Sequence, residues 1–469
     1  MMGAYVWTDE RVRAALGLPV DSGGGERPFT RVSTDSRNVE AGELFVALEG
    51  GHFDGHDYVV EALEKGASAA VVSRSLDRVD PGAVYEVDDT LVALGRLASH
   101  RRVALNASIV AITGSSGKTG TKDLTRGALE GSLRVHATYG NLNNRIGLPM
   151  TLLAAPDEAE VVVLEMGTNE PGEIGALAVI AEAQIGVITT ISETHLEKLE
   201  SLDGVLTEKL SLLRGLAAGG QAVVGDEPSE LPDAARKLHP TCRVAGWTDG
   251  ADADLRPDRP EMDLEGCWGF HWKGHPVSLE APGRHTVRNA MLALTVADML
   301  DVAPDRAAEG VSRVQPTGMR GEVRRLGGLS LILDCYNANP QSTRAAVDLL
   351  ADLSARERVL FLGTMLELGD HSDELHHRVL SYACAGRVET VVATGEFAKA
   401  ARSDPALQAW QGLLVRDDPE VAYADLRSRL EGDEIVLLKA SRGVELERLV
   451  PMLEEDFGTS PPVDAAGRA

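Results

Sequence analysis

No stretch of this 469-residue sequence approaches the roughly 18 consecutive apolar residues that a membrane span needs. Residues 1–19 hold no apolar signal-peptide core, so a chain that stays in the cytoplasm is expected. Cysteine is scarce: Cys242, Cys267, Cys335 and Cys384 form neither a CxxC pair nor a zinc-like spacing. That excludes a disulfide scaffold and fits reduced thiols. Positive charge is short as well, with 46 Lys and Arg against 72 Asp and Glu, a formal net charge of −26. Such a surface repels nucleic acid and anionic membranes, so neither is expected as a partner. Any anionic ligand must be held by local cationic groups. No repeat of fixed period occurs. What is present is ordinary for an α/β protein, with 43% hydrophobic residues. At about 150 residues per domain, the length predicts three domains.

The chain is organised around residues 107–121, ASIVAITGSSGKTGT. A β-branched apolar run (Ile109, Val110, Ile112) reads as a buried parallel strand. It turns through Gly114, Ser115, Ser116 and Gly117 into Lys118 and Thr119. The glycines let consecutive backbone N–H groups surround a polyphosphate. Lys118 would reach the terminal phosphates, and the Thr119 hydroxyl would ligate Mg²⁺. The spacing, G-x-x-G-K-T, is tighter than the common phosphate loop. The motif predicts an ATP site.

Before it, residues 31–35, 44–48 and 68–72 read as strands of a small α/β domain, and 22–25 as a glycine loop. After it, strand patterns at 161–164, 185–190 and 222–224 alternate with helical ones, the signature of a parallel sheet. Residues 268–279 read as a hairpin turning at Lys273-Gly274. A third alternating series, at 329–333, 359–362, 390–393 and 435–438, predicts a doubly wound Rossmann-like domain. The expected domains are 1–104, 105–315 and 316–469, with a disordered tail from about 458.

Ligands in such sheets bind beyond the carboxyl ends of the strands. Glu165 ends an apolar strand, as an acidic Mg²⁺ ligand does, and His195 follows the next one. The most informative residue is Lys209. Helical periodicity gathers Leu202, Val205, Leu206, Leu210, Leu212, Leu213 and Leu216 on one side with Lys209 among them, and places Thr207, Glu208, Ser211 and Arg214 on the other. A bare ammonium there must lose its proton, find a partner or snorkel. A neutral amine can add CO₂ and become a carbamate, which is anionic and able to ligate a metal. His285 and Asn289 share a helix face. In the last domain, Asp334-Cys335-Tyr336-Asn337-Ala338-Asn339-Pro340, Glu367-Leu368-Gly369 and 439–442 all follow strands and predict a binding edge, with Asn339-Pro340 starting a helix.

From about residue 31 to 450 these motifs, in order, resemble the Mur ligases of peptidoglycan synthesis. Thr34-Asp35-Ser36-Arg37, residues 44–48 and Phe53-Asp54-Gly55-His56 resemble segments that hold a uridine nucleotide. Asn141-Leu142-Asn143-Asn144 and Glu165-Met166-Gly167 match central-domain motifs. The resemblance implies ATP-dependent amide-bond formation through an acyl phosphate, with ATP and Mg²⁺. By it, Lys118, His195, Lys209 and Arg320 are catalytic, Thr119 and Glu165 hold one magnesium ion, and His195 and carbamylated Lys209 hold a second. Gly114 to Thr119, His285, Asn289, Arg320, Asp334, Tyr336 and Asn337 face ATP. Ser33, Asp35, Ser36, Arg37, Asn141, Asn143, Asn144, Thr168, Asn339 and Glu367 face the other substrates. Tyr336–Pro340 with Glu367-Leu368-Gly369 point to D-alanyl-D-alanine being added to UDP-N-acetylmuramoyl-tripeptide, and a monomer is expected. The chain departs from the family at Thr364, where Asp is usual, at Ala440, where Gly is, and at Ser211, where an acidic residue is. A sister ligase with another amine acceptor and a non-catalytic ATP-binding protein are the alternatives.

Overall fold

The computed structural model describes residues 5–19, 27–51, 53–77, 79–316 and 318–458. The glycine loop at 22–25 and the tail beyond 458 lie outside them. Three α/β domains follow one another, each built on its own sheet. The first sheet takes its four strands in chain order, Val32–Ser33, Leu44–Val46, Ala69–Val72 and Val84–Glu86, all parallel. The helix Thr90–Ala104, capped by the Asp89 carboxylate, lays Ala93, Leu94 and Leu97 against this sheet.

The second sheet has six parallel strands, with Ser108–Thr113 inside it between Ile185–Ile188 and Val161–Glu165. The strand next in sequence, Val135–Ala137, is therefore not a neighbour of Ser108–Thr113, and the chain switches direction at the strand that carries the glycine loop. Ile112 lies level with Glu165 on one side and Thr113 with Ile188 on the other. Loops leaving the three carboxyl ends must converge, which is the geometry that opens a binding crevice. Helices Lys118–Glu130, Arg284–Met299 and Pro304–Ser312 cover one face. Glu173–Ala181 and Leu202–Arg214 cover the other. The predicted hairpin is present as Cys267–Trp272 and His275–Pro282, with Trp272 opposite His275, inside a three-stranded antiparallel sheet.

The third sheet runs Glu322–Leu326, Leu329–Asp334, Ile435–Lys439, Arg358–Leu362, Thr390–Ala393, Leu413–Val415. All neighbours are parallel except the first pair, an antiparallel edge that the sequence pattern did not reveal. Helix Pro340–Asp352 begins as predicted. The Asn339 side chain accepts from the Ser342 backbone N–H at 2.8 Å, the Ser342 hydroxyl accepts the Asn339 N–H at 3.1 Å, and Pro340 is the first helical residue.

Two assignments on one helix are corrected. Leu202, the first residue of Leu202–Arg214, is exposed, because the apolar face becomes covered only further along the helix, and Glu208 belongs to the buried side. Its carboxylate accepts the backbone N–H groups of Gly172 and Ile174, each at 2.7 Å, and so satisfies the start of the neighbouring helix Glu173–Ala181.

Candidate active site

The carboxyl ends of the second and third sheets face each other across a cleft of about 1280 Å³. Its floor is the turn after Thr113. Gly114 (φ +148°) and Gly117 (φ +81°) adopt backbone conformations that suit glycine. A Cβ at Gly114 would meet the Thr189 hydroxyl at 1.9 Å, and one at Gly117 would meet the Asn289 amide oxygen at 2.5 Å. Glycine is therefore required here for close approach as well as for φ. Gly117 opens the 13-residue helix Lys118–Glu130, whose free N–H groups and dipole point into the cleft. The buried Ser115 hydroxyl binds inside the protein, receiving the Ser192 N–H at 2.9 Å and donating to the Ser192 carbonyl at 3.1 Å. It holds the loop that leads to His195.

Lys118 donates to the Gly114 carbonyl at 2.8 Å. Desolvation lowers its pKa, opposed by the carboxylates of Glu165 and Glu367. Glu165, 2% exposed, accepts from Asn143 Nδ2 at 2.8 Å through Oε1, while Oε2 is buried without a partner. Lys209 is 0% exposed and its Nζ has no hydrogen-bond partner among the described residues. Its pKa is held well below the ordinary lysine value, chiefly by desolvation and then by Lys118, against Glu208 and Glu173. The helix thus delivers a fully desolvated amine, its proton held more loosely than that of an ordinary lysine, and the side chain does not snorkel.

The third domain reaches the same point. His195 Nδ1 lies 2.6 Å from the Glu367 carboxylate, and both residues have positive φ, +54° and +64°. The imidazole holds Glu367 below the usual carboxylate range. Asn339, while capping its own helix, donates from Nδ2 to the Ser116 hydroxyl at 2.8 Å. Gln341 Nε2 donates to Thr190 Oγ1 at 2.9 Å. The Arg320 guanidinium lies 3.8 Å above the centre of the Tyr336 ring. Asp334 is tied to Lys439 at 2.8 Å.

The cleft therefore gathers Ser115 to Thr119, Asn141, Asn143, Asn144, Glu165, Thr168, His195, His285, Asn289, Arg320, Asp334, Tyr336, Asn337, Asn339 and Glu367. Gly114 and Lys209 lie behind its wall. Ser33, Asp35, Ser36 and Arg37 do not line it. They sit at the end of the first domain's strand Val32–Ser33 and the following turn. There Asp35 is held at about 2 by its bonds to Arg37, at 2.8 and 2.9 Å.

For magnesium, no three His, Cys, Asp or Glu side chains gather among the described residues. The donors present are the unpartnered Glu165 oxygen, the Thr119 hydroxyl and His195, with the unpartnered Lys209 amine nearby. An amine does not ligate Mg²⁺ well, but its carbamate supplies hard oxygens, so the set fits a magnesium site. Sequence reading missed the role of Glu208 and the cleft-lining Arg344, Arg378 and Arg387 of the third domain. Helical spacing after Asn339-Pro340 was a signal for Arg344 alone.

Three family models match: the Mur ligase family catalytic domain over residues 28–102, the Mur ligase middle domain over 112–297, and the Mur ligase glutamate ligase domain over 319–442. The UDP-N-acetylmuramoyl-tripeptide–D-alanyl-D-alanine ligase of Bacillus subtilis is 37% identical over 433 residues, 90% of this chain and 93% of that protein. The Escherichia coli protein of that name is 30% identical over 92% and 95%. The structure of MurF from Acinetobacter baumannii superposes with a TM-score of 0.86 at 29% identity, covering 96% and 99%. MurF ligase from Thermotoga maritima in complex with ADP gives 0.81 at 27%, covering 91% and 97%. With all three domain models matched in order and the glycine loop facing the third domain, the chain belongs to the Mur ligase family.

Proposed function

We propose that this protein is an ATP-dependent ligase that joins D-alanyl-D-alanine to UDP-N-acetylmuramoyl-tripeptide, releasing ADP and phosphate. The observation that carries the reading is the convergence of Lys118, Glu165 and the glycine turn with Arg320, Asn339 and Glu367 of the third domain in one cleft. On this reading residues 1–104 hold the nucleotide sugar, 105–315 hold ATP and 316–469 hold the dipeptide. The ATP phosphates lie on the N–H groups of residues 114–119, where the helix dipole favours negative charge.

The tripeptide's terminal carboxylate attacks the γ-phosphorus, ADP leaves, and an acyl phosphate forms. Lys118, released from the Gly114 carbonyl, and Arg320, held flat by Tyr336, offset charge on the transferred phosphoryl group. His285 and Asn289 face the adenine. The dipeptide amine then attacks the acyl carbon, phosphate departs, and the amine loses its proton. The bridging contacts Asn339–Ser116 and Gln341–Thr190 draw the third domain over the phosphates, which keeps water from the acyl phosphate. Magnesium, held by Glu165, Thr119, His195 and the carbamate of Lys209, supplies charge neutralisation when bound. The neutral Lys209 amine attacks CO₂ and gives up one proton in forming that carbamate. Reduced thiols, and a cleft completed within one chain, support a monomer working in the cytoplasm without nucleic acid.

Mass analysis of product from UDP-N-acetylmuramoyl-tripeptide, ATP and D-alanyl-D-alanine tests the reading, with the pentapeptide as the expected product. Phosphate release that ignores the dipeptide would overturn it.

A further inference from the structure

Seven described arginines line the cleft. Five already hold a protein carboxylate: Arg284 with Asp352, Arg288 with Glu227, Arg378 with Glu193, Arg387 with Asp348 and Arg442 with Glu447. The other two, Arg320 and Arg344, share a different arrangement. Each sets its guanidinium carbon over a tyrosine ring, 3.8 Å from the centre of Tyr336 and 4.3 Å from that of Tyr382. Neither has an ion-pair partner among the described residues. A guanidinium held over a ring and without a carboxylate partner still offers N–H groups that match the two oxygens of a carboxylate or the oxygens of a phosphate. Stacking also removes rotamer freedom in advance, so less is lost when an anion arrives.

Arg344 cannot serve the same phosphates as Arg320. It projects from helix Pro340–Asp352, whose cleft-facing residues Gln341, Arg344 and Asp348 recur at helical spacing. The start of that helix touches the glycine loop through Asn339 and Ser116. Arg344 stands five residues further on, about 7.5 Å along the axis. Its platform is held in place, because the Tyr382 hydroxyl donates to Asp348 at 2.5 Å and the Arg387 guanidinium carbon lies 4.4 Å from the ring centre. An extended dipeptide spans about 7 Å from amine to carboxylate. An amine placed at the reacting carbon near the phosphates thus puts its carboxylate in reach of Arg344.

We propose that Arg344, stacked on Tyr382, binds a peptide carboxylate of the substrates, namely the C-terminal carboxylate of the dipeptide. The assignment rests on the ligase reading above. It explains how a protein of net charge −26 attracts an anionic acceptor to a wall that also carries Asp348 and Asp352. It also makes the dipeptide's free carboxylate, and not only its methyl groups, a determinant of specificity.

The test compares D-alanyl-D-alanine with its C-terminal amide in the wild-type protein, Arg344→Gln and Arg344→Lys. In the wild type the amide should show a KM roughly 10- to 100-fold higher, the range for one charge-assisted contact. Arg344→Gln should raise KM for the acid by the same factor and leave KM for the amide, KM for ATP and the melting temperature unchanged. Arg344→Lys should recover part of the loss, keeping the charge without the fork. Equal losses on acid and amide, or a wild type indifferent between them, would overturn the proposal. A rise confined to the KM of UDP-N-acetylmuramoyl-tripeptide would assign the carboxylate to that substrate and overturn the dipeptide assignment. A wild type that joins neither dipeptide would instead refute the ligase reading itself.

Discussion

Lys209 in the second domain and Lys439 in the third are both fully buried, 0% and 2% exposed, and both lie near the same cleft. Lys439 ends a strand and is satisfied: Asp334 accepts at 2.8 Å and the Asn337 carbonyl at 2.7 Å. Lys209 has hydrophobic neighbours on its own helix, another cation in Lys118, and no acceptor. One ammonium staples the loop 334–337 to the sheet. The other is left without a partner, a state that costs stability and persists where a chemical use requires it. The difference separates a structural cation from a reactive amine, although both are lysines without solvent contact.

Exchanging each lysine for methionine tests that contrast most severely. Lys209→Met should lower kcat by roughly 10²–10³-fold while leaving the protein at least as stable, since an unpaired polar group is replaced by an apolar one. Turnover within tenfold of wild type would erase the distinction. Lys198→Ala, exposed on the short helix Leu196–Leu199 that precedes this one, should change turnover little. Lys439→Met should show the opposite pattern, a loss of about 2–3 kcal/mol in urea unfolding, because Asp334 and the Asn337 carbonyl lose a charged donor.

A smaller effect separates the glycines of the phosphate loop from those elsewhere. Gly117→Ala must move Asn289, which a Cβ would meet at 2.5 Å, and must hold alanine at φ +81°. ATP affinity should fall about tenfold, an energy of 1–2 kcal/mol. Gly131→Ala, at the far end of the same helix with nothing within 4 Å, should leave ATP binding unchanged by calorimetry.

The smallest effect concerns the third-domain side of the cleft. His376 is buried, accepts the Met365 N–H at 2.9 Å and faces the Ser372 carbonyl at 2.7 Å, which fixes a neutral ring beside the loop carrying Glu367. Burial lowers its pKa. Below about pH 6.5 the unfolded chain takes up a proton that the folded chain refuses, so stability falls on acidification until the folded pKa is passed. Thermal melts between pH 7 and 5 should show this slope, and it should be shallower in His376→Gln.

Much of this architecture is written locally. The strand, the two glycines, Lys118 and Thr119 follow one another in the order that their geometry uses, so short-range pattern suffices. Lys209 is legible because helical periodicity sets it among leucines. The same wheel misplaces Glu208, since it sees one helix only. The partners of that carboxylate, the Gly172 and Ile174 N–H groups, belong to the start of another helix. The antiparallel edge strand Glu322–Leu326 escaped notice because its alternation is blurred by Arg324 and Arg325, which pair at the surface with Glu322 and Glu265.

By itself the sequence determined the α/β class, the phosphate-binding turn and the helix that buries an amine, because each depends on spacings of one to seven residues. Only the tertiary structure decided that His195 meets Glu367, that Asn339 both caps its helix and holds Ser116, and that two arginines without carboxylate partners lie over tyrosine rings. Those contacts join residues far apart in the chain. Which distant loops meet is set by the crossing order of the sheets and the packing of whole domains, and no local periodicity encodes it.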